Sequence, residues 1–224
     1  MASRVIHYIV GQKVTERIHL QDRERFLFGN LLPDCVDGPA GRKGAKESSH
    51  FWEVDSLREA RGQNWHLFWD KYESYRKDEL YLGYMCHLVT DAIWLRNVIV
   101  PLKEANGGCH FHTTEILYRD YHRLNELLKQ DFPAEFLPIK WLENEIEEAD
   151  SAFWEIYYQG LLDEWQEDTG VGKEDLELVD YDRICDFIRE AVNVAAEEIE
   201  AKRENRPGRD PASFYAPNRL FNRG

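Results

Sequence analysis

No run of apolar residues in this chain approaches the ~20 needed to span a bilayer, so a membrane-spanning helix is not expected. CxxC pairs are also missing. The four cysteines, Cys35, Cys86, Cys109 and Cys185, are widely spaced, which removes the local signature of a thiolate zinc site and leaves free thiols as the expectation. There is no excess of positive charge: 42 acidic against 28 basic residues give a formal charge of −14. That field disfavours polyanions and anionic membranes, so bulk nucleic-acid binding is not expected, although a local cationic metal cluster can still hold one phosphate. No segment alternates at period two for long enough to make a convincing strand, and no internal repeat is evident. Met1 to Val10 contains one Arg but neither an apolar core nor a small-residue cleavage site, so the chain does not read as carrying a signal peptide and a cytoplasmic location is expected.

What is present suits one globular domain. The 224 residues are 43% hydrophobic and 13% aromatic, enough to fill a sizeable core. Helical spacing predicts a first helix from Val5 to about Leu27, a loop over 34–49, and renewed helix from Phe51, interrupted near Gly62 and continuing through Trp65, Phe68, Trp69 and Tyr72. A strongly apolar helix is predicted from about Leu80 to Val100, closed by Pro101 and the AsnGlyGly at 106–108. Further helices are expected over Thr113–Lys129, over an amphipathic stretch from about Pro138 to Glu167, and from about Tyr181 to Arg203. The expected organisation is an all-helical domain over 1–206 with an extended tail over 207–224, rich in Pro, Arg and Asn.

The helix around residue 87 reads GlyTyrMetCysHisLeuValThrAsp and places His87 and Asp91 four residues apart, stacked on one helical face. Imidazole and carboxylate at that spacing can grip one metal ion. A lone pair of this kind also occurs as a simple hydrogen bond. Its neighbours Leu82, Met85, Leu88 and Val89 bury the helix on several sides, and a buried carboxylate needs a compensating partner, for which a cation is one solution. Two loop-edge segments, PheGlyAsnLeuLeuProAsp ending at Asp34 and SerSerHisPhe containing His50, each present a further ligand-capable side chain beside apolar anchors. Trp52, Trp65, Trp69, Tyr84 and Trp94 cluster near these segments, with core packing their simplest role.

In order, GlyAsn-x-x-ProAsp (Gly29, Asn30, Pro33, Asp34), SerHisPhe (Ser49 to Phe51) and GlyTyr-x-x-HisLeu-x-x-Asp-x-x-Trp (Gly83 to Trp94) resemble the zinc-dependent phospholipase C family. The resemblance covers roughly residues 7 to 125. It implies an all-α, multi-helix fold of the phospholipase C and single-strand nuclease type, with Asp34, His50, His87 and Asp91 holding one zinc and His7, in ValIleHisTyrIleVal, serving a second. Downstream the pattern changes. Asn97 stands near a position where secreted members place a His, and His110, His112 and Glu115 cluster near the next ligand pair without its spacing. The segment TyrArgAspTyrHisArgLeuAsn, 118–125, resembles one in shorter cytoplasmic members, which makes Asp120 and His122 further candidates for the second metal. The mature secreted enzymes also bind a metal through an N-terminal Trp amine, for which MetAlaSer has no counterpart.

The activity implied is metal-dependent hydrolysis of a phosphoester small molecule or a phospholipid headgroup, with Asp34 the residue best placed to act as base. The alternative is a non-catalytic binding or scaffold protein keeping one structural metal, since four protein ligands close a tetrahedral site. A HisAsp-dipeptide phosphohydrolase is disfavoured, because no His is directly followed by Asp.

Overall fold

Burial of one helix on all sides organises the molecule. In the computed structural model, which describes residues 1–36, 45–108, 114–168 and 170–221, α5 spans Glu79–Trp94 and every residue from Leu80 to Trp94 is buried. A helix apolar around its whole circumference belongs in the centre of a fold. Around it lie α1 (Arg4–Arg17), α2 (Arg23–Leu31), α4 (Trp65–Tyr72) and α9 (Tyr181–Arg203), all in contact with α5. Short α3 (Ala45–Ser49), α6 (Val100–Ala105), α7 (Thr114–Asp131) and α8 (Trp154–Gln166) complete the helices among the described residues. The fold is all-α in class, as the periodicity predicts.

Besides α3, which falls at the end of the loop expected over 34–49, four expectations of local structure are corrected. The first predicted helix is two: α1 ends at Arg17, and Asp22 caps α2 by accepting from the Arg25 N–H at 2.9 Å. The stretch from Phe51 is a hairpin, β1 (Trp52–Asp55) with antiparallel β2 (Ala60–Gln63), Trp52 opposite Gln63. Four-residue strands are too short to show an alternation in sequence. The apolar helix continues past Pro101, because a π-helical turn over Leu95–Ile99 precedes α6 and the proline falls in the first turn of α6, where its missing N–H costs little.

The fourth correction concerns 138–150, which is not helical. Core tyrosines take over its backbone hydrogen bonds: Tyr8 Oη accepts from the Leu137 N–H at 2.7 Å, Tyr158 Oη from Ile139, Tyr81 Oη from Glu145 and Tyr72 Oη from Glu147. A segment whose amides are satisfied in this way needs no helix to be buried. Past Pro207 the chain follows the surface, seats Phe214 and Ala216 in the core, and adds β3 (Ala216–Pro217) to the free edge of β2.

The α2–α5 crossing positions the site. A Cβ on Gly29 would fall 1.9 Å from the Leu80 carbonyl oxygen, and one on Gly83 would fall 2.0 Å from that of Phe26, so these backbones touch through reciprocal glycines. Arg25 reinforces the crossing with two 2.7 Å hydrogen bonds to Asp78, the N-cap of α5. In an ordinary helix interior Gly→Ala stabilises by about 1 kcal/mol. Here Gly83→Ala is expected to destabilise by about 1–3 kcal/mol or more, because two backbones must separate. Urea unfolding followed by circular dichroism in chelator reads the sign directly.

Candidate metal centre

His87 and Asp91 leave α5 on the face toward α1 and α3. His7 comes from the middle of α1, His50 from the residue after α3, and Asp34 from the single 3-10 turn Leu32–Asp34 that closes α2. All five are buried, Asp34 the least, at 9% exposed. Donor atoms converge closely. His50 Nε2 lies 3.2 Å from His87 Nε2, 3.5 Å from Asp34 Oδ1 and 3.4 Å from Asp91 Oδ2, and His87 Nε2 lies 3.8 Å from that last oxygen. Donors arranged tetrahedrally at ~2.1 Å around a zinc stand about 3.4 Å apart. His50, His87 and Asp91 therefore converge at coordination spacing, and Asp34, 3.5 Å from His50, adjoins them.

The chemistry of the donors makes the same point. His87 Nδ1 faces the Asn30 carbonyl oxygen at 2.9 Å, and His50 Nδ1 faces the Lys46 carbonyl oxygen at 2.9 Å. Carbonyls only accept, so each Nδ1 carries a proton, and His87, where it is neutral, turns its Nε2 lone pair into the cluster. Burial, and then His7, push the His87 pKa down to about 3, so its imidazole is neutral. That lone pair faces His50 Nε2 at 3.2 Å beside two carboxylates, a set of donors that a cation would join. The His50–carboxylate distances also exceed the ~2.7–2.9 Å of a charge-assisted hydrogen bond. Asp34 Oδ1 and Asp91 Oδ2 are buried with no hydrogen-bond partner. Burial opposes ionisation of Asp34, but His50 and Lys46 outweigh it and hold the carboxyl well below the usual range. Asp91 is likewise held low against its burial, by the N-terminal ammonium and His7.

Asp91 reaches two ways. Its Oδ1 accepts from the Ala2 N–H at 2.9 Å and lies 3.3 Å from His7 Nε2, whose ring stacks on His87 at 3.6 Å between centroids. Both His7 nitrogens lack hydrogen-bond partners. His7, Asp34 and His87 also form a second grouping with donor atoms within 4.8 Å of one another. The sequence reading found no role for MetAlaSer at the site, yet the structure brings the backbone of Ala2 there.

Other candidates fall elsewhere. Asp120 is a correction: its buried oxygens accept from the N–H groups of Glu177, Leu178 and Val179 and pair with Arg123, so it ties the approach to α9 to α7 and does not join the cluster. His122 pairs with Glu167 at 2.7 Å, and Asn97 donates to Glu190. Glu115 is exposed, and His110, His112 and Cys109 lie outside the described residues. Burial pushes the thiols of Cys35 and Cys86 up to about 12, so both stay protonated. Trp65, Trp69, Trp94 and Tyr84 are buried in the core, and Tyr84 acts on the site by donating to the Ser49 carbonyl at 2.5 Å.

Of the cluster, Asp34 lines a cleft of about 630 Å³, together with Ala2, Lys46 and Arg4 and, from α7 and α8, Tyr118, Ile156 and Tyr157. Lys46 holds its ammonium 3.5 Å from Asp34 Oδ1. Sequence inspection missed Lys46 and Arg4, which carry no motif. A family model described as zinc dependent phospholipase C matches residues 1–149, more than half of the chain. No curated protein and no solved structure matches.

Two outcomes are expected. Because Asp91 faces both donor groups, Asp91→Ala should lower bound zinc by more than His7→Ala does, as measured by elemental analysis. Acid should destabilise the chelated protein. The folded His87 pKa of about 3 lies below the ~6.5 of an unfolded histidine. Between those values the unfolded chain binds a proton that the folded chain refuses, so this contribution is complete above about pH 6.5 and shrinks as pH falls. Melting temperature in chelator should decline from pH 7 to 4; a flat profile contradicts a neutral His87.

Proposed function

As a member of the zinc-dependent phospholipase C family, this chain carries the cluster of His and Asp donors within the segment that the family model matches, and we propose that it is a zinc-dependent hydrolase of phosphodiesters of phospholipid type. The observation that carries the reading is the buried cluster of His and Asp donors, with Asp34 Oδ1 and Asp91 Oδ2 unpartnered and Asp34 opening onto the cleft. Asp34, His50, His87 and Asp91 would hold one zinc, and His7 with the outer oxygen of Asp91 would serve a second. Bound zinc supplies a water of near-neutral pKa and neutralises phosphoryl charge.

The chain's own residues supply orientation. The Asn30 and Lys46 carbonyls fix the imidazole tautomers, and Tyr84 holds the turn that presents His50. Asp34 lines the cleft and is ionised throughout the neutral range, so it accepts a hydrogen bond from an attacking water. The cleft wall carries Tyr118 and Ile156, 60% and 69% exposed, which suits a substrate with an apolar portion.

A specific observation keeps the scaffold reading in play: four protein donors suffice to close a tetrahedral site around one structural metal. Turnover separates the two. A chromogenic phosphodiester should be hydrolysed by the zinc-loaded protein, lose turnover in chelator and recover it with zinc, and Asp34→Asn should lower kcat by about 100-fold or more. One tightly held zinc without turnover of any phosphodiester would favour the scaffold.

A further inference from the structure

The chain carries 14 more acidic than basic residues, yet two cations, Arg4 and Lys46, line the cleft above the donor cluster. Arg4 is the first residue of α1 and precedes His7 by three positions, so its guanidinium and the imidazole emerge from one helical face about a turn apart, ~5 Å along the axis. Its orientation is built in. Arg4 Nη2 pairs with Glu164 Oε1 at 3.0 Å, and its guanidinium carbon sits 5.5 Å from the centre of the Tyr157 ring. Helix α8 leaves a slot for it, since a Cβ on Gly160 would lie 2.2 Å from Arg4 Nη1. The Arg4 side chain remains 34% exposed.

The same wall holds two buried polar atoms without hydrogen-bond partners, the Tyr157 hydroxyl and Glu164 Oε2. Buried groups left unsatisfied beside a fixed cation mark a place completed by a ligand or an ordered water. Burial, and then the Asp34 carboxylate, keep the Tyr157 phenol protonated. A planar guanidinium oriented by a carboxylate on one edge offers its remaining N–H groups as a fork, the geometry that matches phosphoryl oxygens.

We propose that Arg4, seated in the Gly160 slot, is a positioning residue that grips a phosphoryl oxygen of the substrate on the α8 side of the cleft, opposite the oxygens facing the His and Asp cluster. This rests on the hydrolase reading above. It gives α8, which lies beyond the family match, the task of orienting that contact.

Inorganic phosphate is the probe, titrated calorimetrically into zinc-loaded full-length protein, with zinc content and melting temperature recorded for each variant. Arg4→Gln removes the fork. Gly160→Ala displaces it while improving helix propensity, so a general loss of folding is not its expected effect. Each should raise the phosphate Kd about tenfold with zinc content equal to wild type, the loss of one hydrogen bond to a charged group. A Kd for Arg4→Gln within twofold of wild type overturns the inference, including when its melting temperature falls, since Arg4 would then be structural only. A Gly160→Ala Kd equal to wild type overturns the role of the slot. Absence of phosphate binding by wild type that turns over the diester overturns the inference and leaves the hydrolase reading standing. Arg4-dependent phosphate binding without turnover upholds the inference and removes the hydrolase reading.

Discussion

The structure turns on one buried carboxylate. Asp91 is inaccessible to solvent on a helix that is itself buried along its length, where an uncompensated charge costs several kcal/mol. The Ala2 amide donates to one of its oxygens, with His7 3.3 Å away, while the other, without a hydrogen-bond partner, faces His50 and His87. The N-terminal segment, α1, α3 and α5 are thus drawn to one point. On the proposed reading, a cation at that point would meet His50, His87 and Asp91, with Asp34 beside them.

Helix packing and donor orientation are the same event. Because Gly29 and Gly83 let α2 and α5 touch at the backbone, Asn30 comes within reach of both other helices. Its carbonyl fixes the His87 tautomer, and its side-chain amide donates to the His7 carbonyl at 2.6 Å. His50 is fixed differently. Lys46, four residues earlier, receives its Nδ1–H, and Phe51 turns the chain into β1 with a φ of +47°, a left-handed conformation that a bulky residue adopts only when its surroundings impose it. The donors are therefore held by backbone carbonyls as firmly as by the helices that carry them.

The final third of the chain supports this arrangement from outside. Helix α9 packs its apolar stripe against α5 and α1, and α8 forms the far wall of the cleft. Between α7 and α8 the chain is irregular yet buried in part, because four tyrosine hydroxyls of the helical core and α8 stand in for the missing helix partners. Asp120 performs a comparable task for the approach to α9. A carboxylate in a family-like segment can look like a ligand in sequence and be a backbone anchor in the fold.

Much was legible from local pattern. The stripe over Tyr181–Arg203 predicts α9 at its observed bounds, the unbroken apolar run predicts a central helix, and the spacing of His87 and Asp91 places them on one face, because helical periodicity is a property of neighbouring residues. The motif residues around Asp34, His50, His87 and Asp91 were recognisable as a set, and the structure brings that set together. The irregular course of 138–150, the short hairpin after Phe51 and the anchoring role of Asp120 were not legible, since each depends on partners far away in sequence. The same holds for the site's approach. Ala2 meets Asp91 across 89 residues, and Arg4 meets Glu164 across the whole span from α1 to α8. By itself the sequence determined which side chains can bind a cation and which helices carry them; only the tertiary structure decided which of those lone pairs face one another, because that depends on where buried backbones are able to touch.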